Sequence, residues 1–264
     1  MFEKAERCIY GKNQILETVC QYRFPPILSI DTETPAAFQD AIRAVFPRYE
    51  LRKEQPAPKV TALPGQAPTV EKQDPINNHC FLTLDGAFRI NLTKNFIALS
   101  CTSYTRWENY AKMLDEPLAQ FLRLYKPAVF DRVGLRYINA FSRKELDLTE
   151  YGWRDLISER YLGLMADEDL PEGGFTRCTT DTETSMPGGC QLKLHTGPGF
   201  VRGGTRNDQE VRFVVDLDLS MKGNVPLNMA AGALNTLHVQ AYDVFRDVVT
   251  DTLHNAMEPE ECRG

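Results

Sequence analysis

Two aspartates, Asp216 and Asp218 in the segment VVDLDLS, are the pair whose type and spacing come nearest to a reactive site. Side chains on a strand alternate between faces, so these carboxylates share one face, with Arg212 on the same side. Such a pair can hold a divalent cation or exchange protons with a substrate. The same alternation sends Phe213, Val215, Leu217 and Leu219 to the opposite face, as in an ordinary half-buried strand whose polar side meets water. No metal site is therefore assigned; Asp216 and Asp218 are kept as the alternative.

A second group lies in RVGLRYIN, Arg132 to Asn139. Alternation places Val133, Leu135, Tyr137 and Asn139 on one face and Arg132, Gly134, Arg136 and Ile138 on the other, with Gly134 leaving a gap between two arginines. Further arginines stand on expected strands at Arg23, Arg89 and Arg212. A guanidinium fork matches carboxylate or phosphate, so the ligand-binding candidates are Arg132, Arg136, Tyr137, Asn139, Arg89 and Arg212. The competing expectation is that Arg132 and Arg136 pair with carboxylates on neighbouring strands.

Other chemistries lack their signatures. The glycine-rich HTGPGFVRGGTRND (His195 to Asp208) has neither the Walker spacing nor a dinucleotide loop, and reads as a hairpin connection, although Arg202 and Arg206 beside Gly203 and Gly204 suit an anion. His79, His195, His238 and His254 show no metal-ligand spacing; His238 reads as a hydrogen-bonded structural histidine and His254 as solvated. No nucleophile elbow appears, so no catalytic residue and no cofactor is assigned. Seven widely spaced cysteines without a C-x-x-C pair read as reduced, mostly buried thiols.

The 264 residues include 30 basic and 36 acidic side chains, a formal charge of -6 that argues against nucleic acid as a partner. Base stacking by Tyr22 or Tyr137 is the weakest of the functions weighed. No apolar run is long enough to span a bilayer, and the charged start MFEKAERCIYGKNQ is unlike a secretory leader, so the expected location is cytoplasmic with no membrane association.

The elements that position these residues can be read in order. Gln14 to Phe24 is a strand; Thr34 is an N-cap candidate for a helix carrying Phe38, Ile42 and Val45 and ending before Pro47; RYELRKE is another strand. Residues 55–78 are proline-rich and aperiodic, a loop. His79 to Tyr104 reads as a three-stranded meander with turns at Asp85-Gly86 and Lys94-Asn95. Thr105 and Glu108 form a capping-box pattern before a helix that Pro117 kinks or divides, and RVGLRYIN follows as a central strand. From Asp147 come an amphipathic helix through Trp153, Leu156, Ile157 and Leu164, three strands, and a long C-terminal helix with Leu234, Leu237, Ala241, Phe245 and Val248 in one stripe. The expected fold class is α+β, mainly antiparallel sheets covered by helices. It is organised as two units, 1–145 and 146–264, or as one continuous domain.

Several segments together resemble a sporadically distributed family of uncharacterised prokaryotic proteins whose signature strand contains G-L-R-Y-I-N. The similar stretches are NQILETVCQYRF, FRINLTKNFIALSCTSYTRWENY, DRVGLRYIN and LHVQAYDVFRDVVTDTL, in that order. Two departures stand out: Lys12, Asn13 and Gln14 replace the family's usual proline pair, and Ala140-Phe141 follow Asn139 where an arginine is common, with Arg143 further on. The resemblance implies no activity, cofactor or catalytic set. The expected function is a non-catalytic binding protein that recognises a protein partner or an anionic small molecule through strand arginines. The alternative is a metal-dependent enzyme acting on a phosphorylated or nucleotide-like substrate. A homodimer is compatible with uncovered sheet edges.

Overall fold

A computed structural model of the chain describes residues 2–55, 58–61, 69–201 and 210–261. Its strands are β1 (Cys8–Tyr10), β2 (Ile15–Arg23), β3 (Arg48–Glu54), β4 (Lys59–Thr61), β5 (Thr69–Glu71), β6 (Ile76–Leu82), β7 (Phe88–Thr93), β8 (Phe96–Cys101), β9 (Phe130–Phe141), β10 (Thr180–Met186), β11 (Cys190–Phe200), β12 (Val211–Val225) and β13 (Pro259–Glu261). The helices are α1 (Ser29–Thr32), α2 (Ala36–Ile42), α3 (Trp107–Tyr125), α4 (Trp153–Leu156), α5 (Ala230–Val248) and α6 (Asp251–Ala256). No described helix is long and apolar enough to cross a membrane.

Nine strands form one antiparallel sheet in the order β10-β11-β12-β9-β2-β8-β7-β6-β3. The fold class is α+β, and strands from both halves of the chain share this sheet. β9 is interior, between β12 and β2; β3 and β10 are its edges, and every residue of β3 is exposed.

The periodicity of each element explains its place. In β9, Val133, Leu135, Tyr137 and Asn139 are buried on the face that receives the helices. In β12, Phe213, Val215, Leu217 and Leu219 do the same. Helix α3 buries Trp107, Tyr110, Leu114, Pro117 and Phe121, alternating three- and four-residue steps that make one stripe. Helix α5 turns Leu234, Leu237, His238, Ala241 and Val244 onto β9 and β12. Ring pairs such as Phe24 with Phe121, at 4.7 Å between centroids, join sheet to helix. The other sheet face carries no helix among the described residues and is called the open face.

Several sequence expectations need correction. Helix α2 is preceded by Pro35 at the N-cap rather than Thr34, no side chain caps it, and Val45 is exposed beyond its end. Helix α3 starts at Trp107 with Arg106 as N-cap, because the Glu108 carboxylate is taken by Arg7 and Arg106 instead of closing a capping box. Pro117 does not divide it. Within 55–78, β4 and β5 pair as a small ribbon and β6 begins at Ile76.

The helix expected through Trp153 stops at Leu156, since Ile157 turns extended and bridges to Val249; three-ten turns and an exposed Leu164 follow. That bridge also interrupts the C-terminal helix. Ser158 N donates to Val248 O and Thr250 N to Leu156 O, so α5 ends, and Thr250 Oγ1 caps α6 by accepting from Leu253 N.

Gly197 in β11 has φ 149°, and a Cβ there would lie 2.4 Å from the Cys178 carbonyl oxygen, a backbone atom that cannot swing aside. A Cβ on Gly199 would meet only Val214 Cγ2 at 3.4 Å. Gly197→Ala is expected to cost at least about 2 kcal/mol and Gly199→Ala less than about 1 kcal/mol, read from urea midpoints at unchanged slope. Equal losses at the two positions would refute the close-approach argument.

Candidate functional site

The residues singled out in RVGLRYIN divide between the two faces of the sheet. On the open face, Arg132 and Arg136 both lean toward β12. Arg132 Nη2 donates to Asp218 Oδ1 at 2.6 Å and Nη1 to Gln21 Oε1 at 3.2 Å. Arg136 binds Asp216 through two parallel contacts, Nε to Oδ1 at 2.7 Å and Nη2 to Oδ2. In register Asp218 faces Arg136 and Lys222 faces Arg132, so each arginine reaches diagonally along the strand. Arg132 can do so because Gly134 has no side chain: a Cβ there would stand 2.3 Å from Arg132 Nη1. The gap is filled by the neighbouring guanidinium, and the ion-pair expectation for these arginines matches the geometry.

The other strand arginines lie apart. Arg212 is buried, with Nη2 at 3.3 Å from Glu145 and 3.2 Å from Glu210, and serves the end of the sheet rather than the Arg132–Arg136 group. Arg89 stands opposite Ser100 on the open face, and its buried Nε has no hydrogen-bond partner. Arg202, Arg206, Gly203 and Gly204 lie outside the described residues.

A depression of about 300 Å³ on the open face is lined by Arg136, Lys193, His195, Asp181, Glu183 and the aspartates of β12. His195 Nδ1 sits 2.8 Å from Asp181 and Lys193 Nζ 2.5 Å from Glu183. Four carboxylates here meet three permanent cations, Arg136 and Lys193 in the lining and Arg132 on Asp218, which leaves this corner slightly acidic. Each of Asp216 and Asp218 carries an arginine, and no group of three or more His, Cys, Asp or Glu among the described residues is placed to hold a metal ion.

The basic end is elsewhere. Lys222, Arg132 and Arg23 occupy directly paired positions on β12, β9 and β2, three cations side by side on the open face. Neither Lys222 nor Arg23 has an ion-pair partner among the described residues. Sequence reading considered Arg23 and Arg132 but passed over Lys222, because the register that aligns them is set by long-range pairing.

On the covered face, Tyr137 and Asn139 are buried under α5. Asn139 Nδ2 donates to Val215 O at 3.2 Å, which is structural. The Tyr137 hydroxyl is 2.9 Å from His238 Nδ1, and the His238 ring stacks on Trp107 with centroids 4.2 Å apart. Burial pushes the His238 imidazole down to about 3, with Arg7 adding to the effect, and pushes Tyr104 up to about 12. His238 is thus hydrogen-bonded, as its sequence position implied. His254 is not simply solvated: its Nδ1 lies 2.9 Å from the Tyr10 hydroxyl. Tyr22 and Tyr137, the candidates for base stacking, are both buried under the helices.

No protein-family model matches this chain, and no curated protein is significantly similar to it.

Two tests address these side chains. Gly134→Ala is expected to cost about 1 to 2 kcal/mol by displacing Arg132, whereas in an Arg132→Ala background it is neutral or stabilising. A full penalty in both backgrounds would remove Arg132 as its cause. For His238, the unfolded imidazole titrates near 6.5. Between about pH 6.5 and 3 the unfolded chain binds a proton that the folded chain does not, so this stability is complete above the window and falls as pH drops through it. From pH 7.5 to 4.5 the wild type should lose about 2 to 3 kcal/mol more than His238→Gln, and equal pH slopes would dismiss the role of His238.

Proposed function

We propose that this chain is a non-catalytic binding protein that receives an acidic protein segment on the open face of its sheet. The observation that supports this most directly is the cross-strand row Lys222–Arg132–Arg23. Like charges directly opposite one another destabilise a sheet, each pair by some tenths of a kcal/mol, and only Arg132 has a carboxylate beside it. Anionic groups laid over the row would relieve the repulsion of the other two. The row runs across three adjacent strands of the sheet, which suits a partner that makes many contacts over a single small anion.

Six described cysteines are free thiols, four of them buried, and these support a cytoplasmic setting as part of the same reading. Membership of the G-L-R-Y-I-N family is likewise a proposal and rests on the quoted segments. A metal-dependent reaction at Asp216 and Asp218 has no comparable support, because both carboxylates are engaged by arginines.

The test uses fluorescently labelled poly-L-glutamate, followed by anisotropy at low and high salt. Binding is expected at low salt, weakening as salt rises, and at least tenfold weaker in an Arg23→Glu, Lys222→Glu double variant. A Lys112→Glu control on α3 should bind like the wild type. No binding at low salt, or equal loss in the double variant and the control, would overturn the assignment.

A further inference from the structure

The two edges of the main sheet differ in what they present to another strand. β10 carries Asp181 and Glu183 and no cation, so a second β10 laid against it would meet carboxylates without a counter-charge. β3, with the sequence RYELRKE, mixes both signs. It is the last strand beyond β6, all seven of its residues are exposed, and no described strand pairs with its outer side. An edge of this length, about 24 Å at roughly 3.4 Å per residue, presents a row of backbone N–H and C=O groups to a neighbouring strand.

Pairing with β6 sorts the residues of β3 by face. Glu50 stands opposite Cys80, in the cross-strand row that ends at Gly134 and Ser220, so Arg48, Glu50, Arg52 and Glu54 belong to the open face. Tyr49, Leu51 and Lys53 belong to the covered one, where the Tyr49 ring lies 6.1 Å from His79 and 5.4 Å from Phe81 between centroids. Leu51 is 50% exposed and Tyr49 40%, apolar surface left at the rim.

Two antiparallel copies related by a two-fold axis normal to the sheet pair residues of the same face, so each register is centred on one residue. Centred on Leu51, the match is complete. Arg48 faces Glu54, Tyr49 faces Lys53, Glu50 faces Arg52, and Leu51 faces its own copy. Moving the centre to Glu50 sets Arg48 against Arg52 and Glu50 against itself; moving it to Arg52 sets Glu50 against Glu54 and Arg52 against itself. Charges on an edge ordinarily deter strand addition. Here they disfavour the neighbouring registers and support one. Within one chain Arg52 already holds Glu50, at 2.8 and 3.2 Å, and across the axis two such pairs make an alternating square of four charges.

We propose that β3 is a self-association edge, to which a second copy of this chain adds its own β3 antiparallel in the register centred on Leu51. Nine strands then join nine in one sheet, with the open faces of both copies on the same side. The contact is one strand wide, small beside the interface of a permanent dimer, so it is reversible. It does not rest on the acidic-segment reading: Arg23 is on β2 and Lys222 on β12, with β8, β7 and β6 between them and β3.

The experiment follows sedimentation velocity of the full chain at low salt, from roughly 1 to 500 μM. The wild type is expected to pass from monomer to dimer with a Kd between about 1 and 100 μM. Glu50→Arg and Arg52→Glu each set like charges across the axis, and each should weaken association at least about tenfold. An equimolar mixture of these two variants should dimerise like the wild type, because the arginines of one strand then face the glutamates of the other. The Arg23→Glu, Lys222→Glu double variant should dimerise normally, whatever its affinity for poly-L-glutamate. Amide hydrogen exchange should slow with protein concentration in Arg48–Glu54 and not in Thr180–Met186, and this wild-type pattern decides should a variant fail to fold. A monomer at the highest concentration, indifference to both single variants, no recovery on mixing them, or protection at β10 instead of β3 would overturn the proposal.

Discussion

The register of β9 is the constraint on which the rest of this structure depends. A slip of one residue would carry Arg132 and Arg136 beneath α5 and expose Val133, Leu135 and Tyr137. Each buried aliphatic side chain contributes about 1.5 to 3 kcal/mol, and a guanidinium forced into the interior costs several more, so the strand has one place to sit. Because β9 pairs with β12 on one side and β2 on the other, fixing it aligns Lys222, Arg132 and Arg23 on the open face and sets Tyr137 against His238 on the covered one.

The same register explains how a sheet face without helices buries anything. Ser220, Gly134, Gln21, Ala98, Asn91 and Cys80 follow one another across six strands, and all but Gln21 are buried. These are mostly small residues, with long side chains such as Arg132 and Arg136 in the rows beside them. Where the contacts are visible, the long side chain lies over the small one, as the Arg132 guanidinium lies over Gly134. Aliphatic stems and guanidinium planes thus cover backbone and small side chains while their charges remain at the surface. The arginines of this face are structural in that sense even where they also offer charge.

Much of this was legible in the sequence, and the reason is local. Alternation in β9 and β12 is a property of short windows, and it identified Val133, Leu135, Tyr137 and Asn139 and Phe213, Val215, Leu217 and Leu219 as buried, though Arg212 on the polar side of β12 is buried too. The meander from Ile76 to Cys101 was marked by its two turns. What sequence could not supply were the consequences of distant contacts. The continuation of α5 looked helical by periodicity, yet pairing of Val248–Thr250 with Leu156–Ser158 breaks it. Glu108 sat at the right spacing for a capping box, but Arg7, about a hundred residues away, took the carboxylate. The alignment of Lys222 with Arg132 likewise arises only from pairing, and left no signal of its own.

The charges of the open face are sorted as well as numerous. At the β10 to β12 corner Asp181, Glu183 and Asp216 outnumber Arg136 and Lys193, while the row from Lys222 to Arg23 has a single carboxylate beside it, Asp218, which Arg132 binds. The Lys222 row lies four residues along β12 from Asp218 and six from Asp216, roughly 13 to 20 Å and more than a Debye length at physiological salt, so the two ends would act on different parts of an extended ligand. An acidic segment would be drawn to one end and repelled from the other, which fixes its orientation as well as its affinity. In a chain with a formal charge of -6 the long-range field opposes such a partner. If the open face receives an acidic segment, as proposed, recognition comes from this local arrangement at contact distance and discriminates by the position of acidic groups rather than by their total charge.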